Sequence, residues 1–390
     1  MINQPIYFDY NATTPVDERV LSAMLPYFQE KFGNASSNTH AFGWEADFAV
    51  RAARKQIAEC IGSLPANLIF TSGATESNNI VLMGVSQALR AKGNHIITSC
   101  IEHKCVLNCC KYLESIGFEV TYLPVDAQGA INPEFLQQAI RPSTILISIM
   151  AANNEIGTLQ PLQEISRIAK QHQILFHTDA AQYAGKLRLK VNELSVDFVS
   201  FSSHKMYGPK GIGALYIKPL QLMQKHPLIR GGDQEKGIRS GTLNVPGIIG
   251  FAKACELAEA ELSEEKQRLY ALKQNLFFQL QEQIEGIKLN GSLDNSLPGT
   301  LNLSIPGIDS AKLLSALRNQ AALSTGSACT SHTQEYSHVL KAIGCEEEEG
   351  KRSLRISLGR FSKAVDVNNL AKSLVEYVLS ESSFALMKRI

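Results

Sequence analysis

The sequence predicts an α/β protein: a mostly parallel seven-stranded sheet with helices on both faces, followed by a smaller α+β domain. Three observations carry this. Between residues 68 and 217, short apolar runs alternate with longer amphipathic stretches. One run, Thr144 to Ala151, is almost continuously apolar, as expected of a strand covered on both faces. After about Gly247 the alternation stops and a long amphipathic helix begins. The expected boundaries are a large domain over residues 15–260 and a small domain made of residues 1–14 and 261–390.

Taken in order, the first ten residues are extended in pattern, and Asn11-Ala12-Thr13-Thr14-Pro15 is a turn. Pro15 is expected to open a helix running to about Lys31, because a proline at the first helical position loses no hydrogen bond. Thr39 reads as the cap of a helix ending near Gly62. Strands are then expected at Leu68 to Ser72, His95 to Ser99, Phe118 to Val125, Thr144 to Ala151, Ile174 to His177, Val196 to Phe201 and Ile212 to Ile217. Helices reaching Ala91, Ile116, Ile140 and His172 separate most of them. The second unit begins with a helix over Ile249 to Ile284 and continues with strands at Thr300 to Ile305 and Leu354 to Leu358. Helices at Ser310 to Gln320 and Ala364 to Leu379 complete it, and Glu346 to Glu349 read as a solvated loop.

Composition narrows the function. Apolar residues make up 44% and charged residues 19%, the balance of an ordinary globular chain. A net charge of +1 argues against direct nucleic-acid binding, and no apolar run approaches the ~20 residues of a membrane span. Residues 1–10 lack a basic start and an apolar stretch, so no signal peptide and a cytoplasmic location are expected. The eight cysteines form no CxxC pair, so no structural zinc site is expected and the thiols should be reduced, most of them in the core.

In open parallel sheets, ligands sit beyond the carboxyl ends of the strands. Gly73-Ala74-Thr75, Asn153-Asn154, Asp179 with Gln182, and Ser202-Ser203-His204-Lys205 all fall at such ends. A lysine there, flanked by Ser and His, suits an imine-bound aldehyde cofactor whose phosphate the hydroxyl and imidazole would hold. A helix opening at Ala74 offers free N–H groups to the same phosphate. A carboxylate at Asp179 would keep a pyridine nitrogen protonated. His103 is placed to stack on a flat ring or relay protons. Arg355 has the fork shape that clamps a carboxylate, and Cys329 lies among small polar residues where a thiol is accessible. Two other readings are weaker. A metal pair at His177 and Asp179 lacks a third ligand nearby, and a hydrolase triad of Ser202, His204 and Asp179 lacks a G-x-S-x-G elbow.

Taken together, these blocks resemble the pyridoxal-phosphate-dependent cysteine desulfurases of the NifS/IscS type. The match runs from Tyr7-Phe8-Asp9-Tyr10-Asn11-Ala12-Thr13-Thr14-Pro15 through Thr71-Ser72-Gly73-Ala74-Thr75, Glu102-His103-Lys104 and Asn153-Asn154-Glu155-Ile156-Gly157. It continues through His177-Thr178-Asp179-Ala180, the lysine stretch, Arg239-Ser240-Gly241-Thr242 and Gly326-Ser327-Ala328-Cys329-Thr330-Ser331 to Arg355-Ile356-Ser357-Leu358-Gly359-Arg360. The resemblance implies the fold of type I pyridoxal-phosphate enzymes, with Lys205 as the Schiff-base lysine. Ala74, Thr75, Ser202 and His204 would hold the phosphate, joined by Thr242 from the other subunit of a homodimer. Asp179 would meet the pyridine nitrogen, Gln182 the ring oxygen and His103 the ring face. Asn154 and Arg355 would bind the carboxylate of L-cysteine. Cys329 would take the sulfur as a persulfide, releasing alanine, and pass it to a sulfur-acceptor or iron–sulfur scaffold protein. No resident metal is implied, only transient ligation of a nascent iron–sulfur cluster by Cys329. Iron–sulfur cluster assembly is the first expectation. A specialised sulfur supply for tRNA thiolation or DNA phosphorothioation is the second, because Ser380 to Ile390 departs from the tail of the housekeeping members. An aminotransferase or lyase is the third; it would share Lys205 and Asp179 but have no use for Cys329.

Overall fold

A computed structural model of the chain describes residues 4–325 and 337–387; Cys329 lies outside the described residues. The large sheet has seven strands in the order Leu68–Thr71, Gly213–Ile217, Phe198–Ser202, Leu175–Asp179, Thr144–Ser148, His95–Ser99, Glu119–Leu123. Only Gly213–Ile217 runs antiparallel to its neighbours; the other pairings are parallel. Strand alternation sends successive side chains to opposite faces. Thus Phe70 and Ile97 enter one apolar core while Ile69 and Ile96 enter the core on the other face. Both faces are closed by helices, which is why these strands read as unbroken apolar runs.

The strand carboxyl ends converge on one edge, and the Gly73 turn reaches that edge by pressing on the neighbouring strand. A Cβ at Gly213 would lie 2.6 Å from Gly73 Cα and 2.7 Å from the Phe201 carbonyl oxygen. Only glycine lets the two backbones approach this closely.

The second sheet is antiparallel and three-stranded, in the order Ser353–Ser357, Thr300–Ser304, Lys288–Leu289. A parallel pair, Ile6–Tyr7 with Ala321–Ala322, brings the N-terminal segment to this region. The helix Val245–Gln283 serves both regions: Phe251 and Leu257 pack under the large sheet, and Leu269, Leu276 and Leu280 pack with Leu301, Leu303 and Ile356. Its start is fixed by Asn244, whose side chain accepts from Gly247 N.

Several expected boundaries shift. Pro15 does not open a helix. Asp17 does, accepting from Arg19 N, and the segment divides at Leu25 into Glu18–Met24 and Pro26–Gln29. Proline 26 cannot donate into the preceding turn, so the helix breaks there. The next helix is capped by His40 rather than Thr39, its ring nitrogen accepting from Gly43 N. Glu347–Gly350 forms a short exposed helix instead of a loop, and the last helix runs on to Met387. Of the cysteines described, only Cys109, Cys110 and Cys255 are buried.

Candidate active site

Lys205 ends the short 3-10 turn that follows the strand Phe198–Ser202, and its Nζ donates to the carbonyl oxygens of Asn11 and Ala12, each at 2.6 Å. The turn Asn11–Thr14 is laid across the strand ends. Thr14 donates from both N and Oγ1 to the His204 carbonyl, and Thr13 Oγ1 lies 3.1 Å from His204 Nδ1. Burial, first of all, and then the nearby Lys205, Lys210 and Lys186 push the His204 imidazole down to about 4, so it is neutral at pH 7.

Asp179 closes the strand Leu175–Asp179. Its Oδ2 accepts from Asn78 Nδ2 at 2.6 Å and its Oδ1 from Ala181 N at 2.9 Å. His177, two residues earlier, is held inside the sheet between Ser148 Oγ at 2.8 Å and Ser200 Oγ at 3.0 Å. Burial pushes it down to about 3, so it is a neutral core histidine rather than a partner of Asp179. Among the described residues, no group of three His, Cys, Asp or Glu is placed to hold a metal ion.

His103 caps the helix Lys104–Ser115. Its Nδ1 accepts from Cys105 N at 3.2 Å, with Cys105 Sγ 3.0 Å away, which leaves Nε2 for the site. Burial lowers its proton affinity. Cys105 stays a thiol, pushed up to about 12 by burial and by Asp179.

The helix Ala74–Leu89 starts at Gly73, so no side chain caps it. The start lies beside the lysine strand: Ser202 Oγ would be 3.7 Å from a Cβ placed on Gly73, and the first N–H groups have no side-chain cap. Glu76 ties this helix to the segment leading to Thr242, accepting from Arg239 Nε at 2.8 Å. Thr242 itself is exposed.

Arg355 is 1% exposed and lies in the strand Ser353–Ser357. Its guanidinium reaches Asp9 Oδ1 at 2.6 Å and the Asn154 carbonyl at 3.1 Å, while its buried Nε has no partner among the described residues. The expected clamp is therefore engaged with the protein itself, through Asp9 and Asn154. Two site neighbours gave little signal in the sequence. Asn11 looked like a turn residue, yet it is buried and contacts Asn154, Thr300, Ser357, Gln182 and Lys205. Lys186 had no motif of its own, yet its Nζ donates to Gln182 Oε1 at 2.7 Å.

An uncapped helix start with a hydroxyl and an imidazole, a buried carboxylate, a lysine at a strand end and a guanidinium beside them make a coherent set. They fit the phosphate, ring nitrogen and aldehyde of pyridoxal phosphate and the carboxylate of an amino acid. The comparisons agree. The class-V aminotransferase family model matches residues 6–370. The cysteine desulfurase IscS of Anaeromyxobacter sp. (strain Fw109-5) is 48% identical, covering 96% of this chain and 92% of its own. A solved NifS-like protein superposes with a TM-score of 0.90 at 41% identity, over 97% of this chain and all (100%) of that one. The solved structure described as SspA in complex with cysteine gives 0.80 at 41% identity, over 92% of this chain and 100% of that one. The chain belongs to the class-V aminotransferase family, among its pyridoxal-phosphate-dependent cysteine desulfurases.

Proposed function

We propose that the protein converts L-cysteine to L-alanine and receives the sulfur on Cys329 as a persulfide. One observation carries the reading. Lys205, Asp179, His103 and the uncapped helix start at Ala74 meet on one edge of the sheet, in a chain 48% identical to a cysteine desulfurase. Bound there, pyridoxal phosphate supplies an electron sink for the amino acid it carries.

The chain supplies position and proton transfer. Lys205 anchors the cofactor, and Asp179 keeps a proton on the pyridine nitrogen. Ala74, Thr75, Ser202 and His204 hold the phosphate, and Gln182 faces the ring oxygen. His103 packs on the ring and exchanges protons at Nε2. Asn154 and Arg355 orient the substrate carboxylate. The substrate C–S bond breaks as the S–S bond forms on Cys329, and the three-carbon skeleton leaves as alanine. Incubation with L-cysteine should yield alanine and protein-bound sulfur in equal amounts; keto-acid-dependent amino exchange without sulfur transfer would overturn the reading.

A homodimer and an acceptor follow. Leu25, Phe28, Phe32, Phe42, Trp44 and Phe48 are exposed on neighbouring segments, Phe48 by 69% and Trp44 by 58%. An apolar surface of this kind suits a second copy of the chain, and the exposed Thr242 is available to that copy's phosphate. The persulfide is then handed to a sulfur-acceptor protein, in the first instance an iron–sulfur scaffold. The absence of a CxxC pair and the expected reduced thiols suit a cytoplasmic setting.

A further inference from the structure

Lys186 is a charged neighbour of the site to which the family resemblance gives no role. Its Nζ donates to Gln182 Oε1 at 2.7 Å and to Asn11 Oδ1 at 3.1 Å. Gln182 Nε2 donates in turn to the Asn11 carbonyl at 2.8 Å, the same oxygen that accepts from Lys205 Nζ at 2.6 Å. One backbone oxygen thus joins the Gln182 amide to the expected cofactor lysine, and Lys186 grips that amide from behind.

The chemistry of the groups makes this arrangement directional. An ammonium donates and never accepts, so both amides must turn their oxygens toward it. Their NH2 groups then point away. That of Asn11 donates to the Asn154 carbonyl at 3.2 Å and to Thr300 Oγ1 at 3.0 Å. That of Gln182 donates to the Asn11 carbonyl, which Lys205 shares. Without the ammonium, the Gln182 amide keeps only its contact with the Asn11 carbonyl, so one of the two contacts that select its orientation is lost. Lys186 keeps this place against opposition. Burial, with Lys205 and Arg355 as like charges, pushes it down to about 7, and Glu265 is the opposing acid, so the ammonium is the form present below that pH.

We propose that Lys186 is a positioning residue: it fixes the Gln182 amide with its N–H toward the ring oxygen of bound pyridoxal phosphate and keeps a positive charge behind it. The proposal rests on the assignment of Gln182 to the ring oxygen given above. A positive charge there stabilises negative charge on the ring oxygen and opposes a further proton nearby.

The pH titration of the holoenzyme's visible absorption band tests it. Lys186→Met keeps the stem and removes the donors and the charge. Its midpoint is expected to rise by about one pH unit, a tenfold change in proton affinity. In a Gln182→Ala background the same change should have a smaller effect, since both residues act through one amide. Lys186→Arg should bring the midpoint back toward the parent value. Should Lys186→Met fail to fold, the uncharged Lys186→Gln is read in the same way. A parent midpoint in a folded, uncharged variant overturns the proposal, and so does a shift that survives undiminished in the Gln182→Ala background. A parent protein that develops no visible band with pyridoxal 5'-phosphate refutes the cofactor assignment instead.

Discussion

Arg355 and Ser324 exchange a pair of backbone hydrogen bonds, Arg355 N to the Ser324 oxygen at 2.7 Å and Ser324 N to the Arg355 oxygen at 3.4 Å. The chain therefore enters the Cys329 segment from directly beside the guanidinium expected to hold the substrate. On the far side of that segment, Ser337 Oγ donates to Glu155 Oε2 at 2.5 Å, and His338 Nε2 lies 3.0 Å from the carbonyl of Glu102, next to His103. Both ends of the stretch bearing the thiol are tied to residues flanking the site.

That placement separates two variants. Lys205→Ala should lose the visible band and cut alanine formation more than about 100-fold, the scale of losing an acid–base group. Cys329→Ser should keep the band, because the thiol holds no part of the cofactor, and lose sulfur transfer. Absorbance and single-turnover sulfur labelling read the two separately. A Cys329→Ser protein with parent-level transfer would displace that thiol from the reaction.

Gly213→Ala should destabilise the protein by about 1–3 kcal/mol, the usual cost of overpacking. The new methyl meets backbone atoms at 2.6 and 2.7 Å, and backbone cannot rotate away as a side chain does. Because one of those atoms belongs to Gly73, pyridoxal phosphate should also dissociate faster. Urea unfolding and cofactor release measure the two effects.

Stability should fall on mild acidification. His177 is held neutral, with its affinity pushed down to about 3, while an unfolded histidine titrates near about 6.5. Between those values the unfolded chain binds a proton that the folded chain refuses, so stability rises with pH across the window. One such group contributes a slope of about 1.4 kcal/mol per pH unit. His177→Gln should lower overall stability and flatten the dependence between pH 5 and 6 by one proton, seen by urea unfolding at several pH values. An unchanged slope would mean that the buried imidazole is charged.

Phe48→Asp combined with Trp44→Glu should yield monomer in light scattering while leaving the fold intact by circular dichroism, since both side chains are more than half exposed in one chain. Lost phosphate contact from the partner should then weaken cofactor retention. A double variant that remains dimeric would move the interface elsewhere.

Much of this was legible in the sequence because it is local. Strand runs such as Thr144–Ser148 declare themselves by composition, and the sheet rule then places Gly73, Asp179 and Lys205 on one edge without knowledge of any contact. Helix starts were less legible. Asp17 and His40 displaced Pro15 and Thr39 because capping depends on which side chain reaches an N–H, which the residue type alone does not decide. Asn11 and Lys186 were hidden for a different reason. Their partners lie up to 346 positions away in sequence, as for Asn11 with Ser357, and no periodicity encodes such a meeting.

The helix Val245–Gln283 has a mechanical consequence. A single rod embedded at one end beneath the seven-stranded sheet and at the other against the three-stranded one leaves neither mass free to melt by itself. Heat absorption in a calorimeter should therefore come as one peak, and a void cut at Leu276 should loosen amide exchange around Phe251 as well.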